Sequence, residues 1–391
     1  MAGRNVRMHN PTHRFDTSAE TAPTSTPTVV WSHEFQDPVY GTAVWGDIVY
    51  VSVGERVVAI DQGGNSQWQI NTDGVVDSSP AVVDGTVFVG ATDCVYALDA
   101  ATGRKQWKFQ INQISSSPAV VDDTVFVGAA NRVYALDAAT GREQWSFRTD
   151  GSTESSPTVI DGTVFIGAAY RVYALDAATG HKQWDFRSGE VASSPAIANG
   201  TVVIGNKYSH VYALDVATGR EQWTFEADGE NPSSPTVADD TVFIGSGSVD
   251  DFEGHIYALD AATGRKQWDA QTSGWRYPSV TVVDTTALVG SNDSYVYAFD
   301  TATGRKQWDF ETDGVEVHSS VAVVDGTLFV ASQGSSAPHL SEAKNHRIYA
   351  LGGSDRSGSK SQLYQRCSEC GASLSEHDDP SFCPECGAKT R

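Results

Sequence analysis

The sequence predicts an all-β protein made of repeated small sheets, and three observations support this prediction. A tryptophan recurs at positions 31, 68, 107, 145, 184, 223, 268 and 308, so that successive copies lie 37 to 45 residues apart. Each period holds four short stretches rich in β-branched and aromatic residues, which is typical of strands. Asp-Gly or Asp-Asp stands between the first two stretches of most periods, and Asp-Gly at such a point is a strong signal for a tight hairpin.

The period that begins near Glu154 shows how one repeat is divided. Its four predicted strands are residues 155–160, 163–167, 171–175 and 182–186. Asp161-Gly162 joins the first two strands, and a longer turn that ends in Gly180 joins the last two. Four short strands in about 40 residues, repeated along a chain, are typical of the blades of a β-propeller.

The number of blades follows from the third strand, whose motif occurs eight times and ends for the last time at Leu351. That last copy has no Trp-containing strand after it, whereas residues 31–35 form such a strand with no blade before them. If residues 31–35 complete the last blade, the ring closes and leaves no sheet edge open. We therefore predict an eight-bladed β-propeller over residues 29–352, closed by the N-terminal strand, after a disordered arm at residues 1–28.

The motifs S-S-P-x-V, D-G-T-V-F-V-G and V-Y-A-L-D-A-A-T-G-R-x-Q-W recur in this order along about four-fifths of the chain. This pattern resembles the PQQ-like, quinoprotein-type propeller repeat. The resemblance implies the fold and leaves the function open, because that group contains quinone-dependent dehydrogenases and also non-enzymatic scaffolds of the BamB type. It further implies that the Trp of each blade docks against the neighbouring blade.

An aspartate opens the longer turn of most repeats, at Asp99, Asp137, Asp176, Asp215, Asp260 and Asp300. Such a side chain accepts hydrogen bonds from backbone N–H groups across its own turn. Calcium binding is the alternative, but calcium needs several oxygens at one point, and one Asp per blade does not supply them. We interpret these residues as turn-forming carboxylates.

The positions at which the blades differ are the candidates for a specific site. The residues just before each predicted first strand are Tyr40, Asp77, Ser115, Glu154, Ala192, Pro232, Trp275 and His318. Blade 7 reads Trp275-Arg276-Tyr277 in place of x-S-S, and these three residue types are the most enriched at binding hot spots. Insertions at residues 246–255 and 331–347 fall on the same face.

We predict a binding site for a protein partner or a small ligand on this face. Its residues are Trp275, Arg276, Tyr277, His318, Tyr40, Asp77, Glu154 and His255. The alternative is that the differences are only variation in surface loops, which tolerate insertions. No G-x-S-x-G, H-E-x-x-H or phosphate-loop motif occurs in the sequence, so it predicts no catalytic residues.

Four of the five cysteines lie in the last 25 residues, in two C-x-x-C-G knuckles. They are Cys367, Cys370, Cys383 and Cys386. Two such knuckles supply four thiolates for tetrahedral Zn²⁺, and the pattern resembles a zinc ribbon. We predict a flexible linker at residues 353–365 and a zinc ribbon at residues 366–391, with redox dithiols or disulfides as the alternative.

Charge and composition restrict the cellular setting. The chain carries 49 acidic and 27 basic residues, a net charge of −22, which disfavours binding through a broad basic surface to nucleic acid or to anionic membranes. The excess of Asp over Glu and the scarcity of Lys indicate a haloarchaeal protein in molar salt, where screening is strong. An ordinary acidic protein is the alternative. Without a hydrophobic signal segment, we expect a cytoplasmic monomer.

Three functions remain open on these observations. The leading hypothesis is a non-catalytic propeller that binds a protein partner or a ligand on its variable face and carries a zinc-ribbon tail. The first alternative is a dehydrogenase that uses PQQ and calcium. The sequence disfavours it, because no two cysteines are adjacent and no inserted segments seal the channel. The second alternative is a ribbon-mediated nucleic-acid or ribosome-associated factor.

Overall fold

A computed structural model describes residues 21–353 except 192, 231–232, 249–252, 275–277, 314–315, 318 and 335–345. Within these residues the chain forms eight antiparallel sheets, seven with four strands and one with five. Each sheet corresponds to one period of the sequence, and the strands of a sheet follow one another in chain order except in the last sheet. The prediction of an all-β, eight-bladed propeller is therefore confirmed.

Each blade runs from an innermost strand to an outermost strand. The innermost strands of blades 1 to 8 are β2 (Val39–Trp45), β6 (Ala81–Val83), β10 (Ala119–Val121), β14 (Thr158–Ile160), β18 (Ala196–Ala198), β22 (Thr236–Ala238), β26 (Thr281–Val283) and β31 (Ala322–Val324). The second strands are β3 (Ile48–Val53), β7 (Thr86–Ala91), β11 (Thr124–Ala129), β15 (Thr163–Ala168), β19 (Thr201–Gly205), β23 (Thr241–Gly247), β27 (Thr286–Gly290) and β32 (Thr327–Gln333).

The outer half of each blade contains the remaining strands. The third strands are β4 (Arg56–Asp61), β8 (Cys94–Asp99), β12 (Arg132–Asp137), β16 (Arg171–Asp176), β20 (His210–Asp215), β24 (Gly254–Asp260), β28 (Tyr295–Asp300) and β33 (His346–Gly352). The outermost strands are β5 (Ser66–Asn71), β9 (Lys105–Gln110), β13 (Glu143–Arg148), β17 (Lys182–Arg187), β21 (Glu221–Glu226), β25 (Lys266–Thr272), β29 (Lys306–Glu311) and, in blade 8, β1 (Thr28–Phe35). A two-residue strand, β30 (Glu316–Val317), also pairs with β32.

Blade 8 is closed by the two ends of the propeller sequence, as predicted. Strand β1 pairs antiparallel with β33, from Phe35 opposite His346 to Thr28 opposite Gly352, with one bulge near Trp31. The ring thereby has no unpaired strand at the point where the chain enters and leaves it. Among the described residues, no helix has the length and hydropathy that a membrane crossing needs.

The hydrophobic core is divided into clusters that lie between neighbouring blades. One cluster joins Phe88 and Ala97 of blade 2 to Val125 and Leu136 of blade 3, and all four side chains are at most 2% exposed. The third-strand motif V-Y-A-L alternates across the sheet, so each blade presents apolar side chains to both of its neighbours. Each blade is therefore stabilised mainly by the two blades beside it.

The eight repeated tryptophans form the hydrogen-bonded contacts that the family resemblance implied. In each case the indole Nε1–H donates to a backbone carbonyl of the next blade, over 2.6–2.9 Å. The pairs are Trp68–Ala100, Trp107–Ala138, Trp145–Ala177, Trp184–Val216, Trp223–Ala261, Trp268–Thr301, Trp308–Pro23 and Trp31–Gln62. In all but one pair the acceptor is the residue after the turn Asp. We call these eight contacts the tryptophan latches.

The exception lies where the ring closes. Blade 8 has no longer turn of its own, so Trp308 of blade 7 donates to the carbonyl of Pro23, in the segment before β1. Ala22 packs against the same interblade cluster, and Pro23 is buried. The boundary predicted between arm and propeller at residue 28 is therefore corrected, because residues 22 and 23 already belong to the packed ring. Residues 1–20 of the predicted arm lie outside the described residues.

A glycine lies under the indole ring in seven of the latches. In six blades it is the last residue of the D-x-A-T-G turn, and at Gly141 it has a φ of +69°. A Cβ placed on Gly141 would lie 2.5 Å from Cε3 of Trp107. Glycine is therefore required there both by the left-handed backbone and by the close approach of the ring.

These two requirements are separable by experiment. Gly141→Ala introduces the backbone strain and the clash with Trp107, whereas Gly162→Ala, at a φ of +71° with nothing within 4 Å, introduces only the strain. We expect Gly162→Ala to lower the free energy of unfolding by about 1–2 kcal/mol, and Gly141→Ala to lower it by about 1–3 kcal/mol more. Denaturant unfolding of both variants in the same salt measures the difference. Equal losses would contradict the close packing of the latch.

Candidate functional site on the loop face

The propeller has two unlike faces. One face carries the hairpins between first and second strands and the turns between third and fourth strands, and we call it the turn face. Backbone hydrogen bonds join these two elements, as from Ala138 N to Asp123 O over 2.8 Å. The other face, which we call the loop face, carries the segments that enter each blade and the loops between second and third strands. They are joined in the same way, as from Thr92 N to Val75 O.

The repeated aspartates lie on the turn face and have a structural role. Oδ1 of Asp137 accepts hydrogen bonds from the backbone N–H of Thr140 over 2.8 Å and from its hydroxyl over 2.6 Å. The hydroxyl bond and then the backbone bond hold the pKa of Asp137 below its usual value. The corresponding Asp of five other turns makes the same pair of bonds. The interpretation as turn-forming carboxylates is confirmed.

The S-S-P motif, whose purpose the sequence did not reveal, ties the inner strands together. Its first serine bridges the first and second strands of its own blade, as where Ser116 Oγ accepts from Gly128 N over 2.7 Å. Its second serine accepts from the preceding blade, as where Ser117 N donates to Ser156 Oγ over 3.0 Å. The second type of bond links blades 2 to 6 in succession. Most blades therefore present the same hydroxyls here, and specificity must come from other positions.

The structure corrects one position in the predicted ring of variable residues. Tyr40 keeps its place as the equivalent of Asp77, because Gly54 N donates to Pro38 O in blade 1 as Thr92 N donates to Val75 O in blade 2. In blade 7, Thr281 takes the place of Ala81. Counting back along the sequence makes Tyr277, and not Trp275, the equivalent of Asp77.

Two of the predicted residues, Tyr40 and Asp77, come together at the entry to blades 1 and 2. Burial raises the pKa of Tyr40, and the negative charges of Asp77 and Asp37 raise it further. Desolvation also raises the pKa of Asp77.

Two other predicted residues lie elsewhere. Glu154 is on the loop face between blades 4 and 5, where its Oε2 lies 3.4 Å from Nζ of Lys207. His255 is on the third strand β24, stacked on Tyr257 with ring centroids 5.7 Å apart, and its Nδ1 lies 3.5 Å from Oδ2 of Asp269. The structure therefore separates Asp77, Glu154 and His255 onto three different blades. Trp275, Arg276, Tyr277, His318 and the four tail cysteines lie outside the described residues.

The sequence analysis missed two exposed aromatic side chains on the loop face. Tyr170 is 54% exposed and Tyr208 is 55% exposed, in the corresponding loops of blades 4 and 5. Blades 2 and 3 have Asp93 and Asn131 in these loops. A comparison of loop residues blade by blade would have found the two tyrosines, because blades 2 and 3 carry a polar residue at this place.

The two tyrosine loops are held in one continuous surface by the segment between them. Val191 N donates to Ala169 O over 2.7 Å, and Lys207 N donates to Glu190 O over 2.7 Å. Residues 188–191 therefore connect the loop of blade 4 to the loop of blade 5. Asn206 fixes the second loop further, because its side chain donates to Ser188 O over 2.6 Å and accepts from Tyr208 N over 2.9 Å.

Charged groups lie within this surface. Nζ of Lys207 is 2.8 Å from Oε1 of Glu190 as well as 3.4 Å from Glu154. The hydrogen bond to Glu190 and the two negative charges raise the pKa of Lys207. We call the surface formed by Tyr170, Tyr208, Glu154, Glu190 and Lys207 the tyrosine patch. It combines two exposed aromatic rings with a lysine that is paired to two glutamates.

Within the described residues, no group of three or more His, Cys, Asp or Glu side chains is placed to hold a metal ion. Glu154, one of the two predicted carboxylates, is paired with Lys207.

Comparisons with known proteins agree with this architecture. The family model for the outer membrane protein assembly factor BamB matches residues 21–110, 91–194 and 168–357. The crystal structure of BamB from Moraxella catarrhalis is 22% identical, with a TM-score of 0.67 over 83% of this chain and 97% of that chain. Quinohemoprotein alcohol dehydrogenase from Comamonas testosteroni is 17% identical, with a TM-score of 0.75 over 90% of this chain and 81% of that chain. At these identities the two structures share the fold alone.

A curated protein also matches part of the chain. The serine/threonine-protein kinase AfsK of Streptomyces griseus is 33% identical across 20% of this chain, and the match spans 12% of the kinase. A match of this extent covers only a small part of either protein.

Proposed function

This chain belongs to the family described as outer membrane protein assembly factor BamB, and from that premise we propose that it is a non-catalytic scaffold that binds a protein partner through its loop face. The observation that carries the proposal is the tyrosine patch. It lies on the face where the blades differ, whereas the turn face repeats the same hydrogen bonds from blade to blade. Solved relatives of this fold include both BamB and dehydrogenases, so the fold alone does not decide between the two functions.

The chemistry of the patch indicates the kind of partner. Tyr170 and Tyr208 offer ring surface with few rotatable bonds, so little conformational entropy is lost when they bind. Because the chain has a net charge of −22, a partner with a basic or neutral surface is favoured over an acidic one. Two exposed rings at the centre of a partner surface are the pattern of a binding hot spot.

The residues predicted around blade 7 remain part of the proposal. Trp275, Arg276 and Tyr277 have the composition of a hot spot, and His318 belongs to the following blade. They supply a second contact region on the same face if the partner spans several blades. The dehydrogenase alternative would be favoured if the purified protein, supplied with PQQ, calcium and an alcohol substrate, oxidised the alcohol and reduced an electron-acceptor dye.

Removal of both aromatic rings from the tyrosine patch tests the proposal. Tyr170→Ser combined with Tyr208→Ser should weaken capture of the native partner at least about tenfold, because truncation of a hot-spot residue costs about 2 kcal/mol or more. Pull-down of tagged full-length protein from its own cell extract, followed by quantitative mass spectrometry, measures the change. Asn131→Ser in the matching loop of blade 3 is the control and should leave capture intact. Equal capture by all three proteins would exclude the patch.

The C-terminal tail is proposed as a zinc ribbon that gives the scaffold a second contact point. The support is the spacing of Cys367, Cys370, Cys383 and Cys386, which suits one tetrahedral zinc ion. About 25 residues bury too little surface to fold alone, so the metal would supply the folding energy. The ribbon-mediated nucleic-acid or ribosome-associated function has only the basic end, Lys389 and Arg391, in its favour.

Native mass spectrometry of the full chain tests the zinc proposal. We expect one zinc ion per chain in the wild type, and its loss in Cys383→Ser, because three thiolates bind the ion far more weakly than four. Cys94→Ser is the matched control, since Cys94 is buried in β8 with its Sγ 3.3 Å from Oε1 of Gln110. A wild type without zinc, or Cys383→Ser with undiminished zinc, would contradict the proposal.

We further propose a cytoplasmic, salt-rich setting for the protein. Its support is the charge of −22 and a tail of closely spaced cysteines, which suits a reducing compartment. Molar salt reduces the Debye length to about 3 Å, so that neighbouring carboxylates no longer repel one another over long distances.

A further inference from the structure

A cleft on the turn face, opposite the tyrosine patch, has no part in the function proposed above. It has a volume of about 810 Å³ and lies across the hairpins of blades 2, 3 and 4. Its walls include the half-buried side chains of Val83, Val121 and Ile160. Its rim carries four exposed carboxylates, those of Asp84, Asp122, Asp123 and Asp161. The cleft therefore combines an apolar wall with a strongly negative edge.

The positions of these carboxylates are set by the backbone. Each of the four aspartates has a φ between 46° and 58°, the left-handed conformation of a two-residue hairpin. In the described part of the chain, no Lys, Arg or His forms an ion pair with any of the four. Four uncompensated negative charges beside apolar side chains fit a peptide segment that carries both arginines and apolar residues.

The chain itself contains one such segment. Its first 15 residues include Arg4, Arg7 and Arg14 and contain no acidic residue, although the chain as a whole has a net charge of −22. The same segment includes Val6, Met8 and Phe15. Its charge is therefore opposite to that of the cleft, and its apolar side chains match the cleft walls.

The attachment point of this segment favours the same face. The carbonyl of Pro23 accepts the indole N–H of Trp308 and so takes the place that Ala138 takes for Trp107. Ala138 belongs to the turn face and lines the cleft, so the chain enters the propeller on that face. The residues from Arg4 to Glu20 span up to about 55 Å when extended. With sheets packed about 10 Å apart, a path of about four blades needs on the order of 40 Å.

We propose that the N-terminal arm, residues 1–20, docks in this cleft of its own chain. Arg4, Arg7 and Arg14 pair with the rim carboxylates, and the apolar residues of the arm cover the apolar wall. Because the arm is tethered at Pro23, its effective concentration at the cleft is on the order of millimolar, which favours it over free peptides of similar chemistry. A docked arm leaves the loop face free for a partner.

Limited trypsin digestion of the full chain tests this proposal, because trypsin cleaves after the three arginines of the arm. The cleft variant carries Asp84→Asn, Asp122→Asn, Asp123→Asn and Asp161→Asn. The matched control carries Asp239→Asn, Asp240→Asn, Asp284→Asn and Asp325→Asn, at the same left-handed hairpin positions of blades 6 to 8. Asparagine occupies this conformation readily, so both variants keep the fold, and both change the net charge by the same amount.

Mass spectrometry follows cleavage after Arg4, Arg7 and Arg14 in the three proteins, whose arms are identical. We expect cleavage to be about fivefold faster or more in the cleft variant than in the wild type and the control, because proteolysis follows the undocked fraction. Equal rates in all three proteins, or equal acceleration in both variants, would overturn the proposal. So would protection that disappears over about a hundredfold dilution, since that result means the arm binds a second copy.

Discussion

The hydrogen bond from each outer-strand indole to the next blade is the contact on which this ring depends. Within the described residues, neighbouring blades belong to separate sheets and share no strand ladder, so the indole bonds join the apolar clusters and the loop hydrogen bonds in fixing one blade against the next. Each tryptophan latch consists of a hydrogen bond of 2.6–2.9 Å from the indole N–H to a backbone carbonyl of the next blade. In seven of the eight latches the indole ring also lies against a turn glycine. Eight such contacts in a closed circle make each blade a support for two others.

Closure of the circle explains the unusual role of the N-terminal segment. Blade 8 has no turn of its own to accept the bond from blade 7, and the segment before β1 supplies the carbonyl of Pro23 instead. Strand β1 then completes the sheet of blade 8, and Trp31 donates to Gln62 of blade 1. One short stretch of chain therefore provides an acceptor, an outer strand and a donor. The same bond places Pro23, near the start of the described chain, on the turn face.

The tryptophan latches make the two faces of the propeller unlike. The turn face is occupied by the Asp–Thr bonds and by the glycines under the indoles, so its sequence is nearly the same in six blades. The loop face is free of this requirement, and its residues vary. Tyr170 and Tyr208 stand there at places where blades 2 and 3 have polar residues, and neither tyrosine takes part in a tryptophan latch.

Much of the fold could be predicted from the sequence, because the same pattern of strands recurs eight times and hairpin motifs mark the turns between them. The predicted first strand at 155–160 begins instead at Thr158, since Pro157 has no N–H for a strand ladder. The site was harder to predict. The assignment of Trp275 was two positions too early, because Thr281, and not Ser279, takes the place of Ala81 in blade 7. Tyr170 and Tyr208 are single residues that differ from those in the matching loops of blades 2 and 3. No local sequence pattern shows that such a side chain is exposed to solvent.

The central claim is that the N-terminal segment closes a ring of equivalent latches. Hydrogen exchange of the indole N–H groups, followed by NMR on full-length protein with ¹⁵N-labelled tryptophan, tests it most directly. The account predicts that the indole of Trp308, bonded to Pro23, exchanges as slowly as those of Trp184, Trp223 and Trp268, which are bonded within the ring. Exchange at Trp308 that is much faster than at these three would show that the closing latch is not formed and would contradict the account.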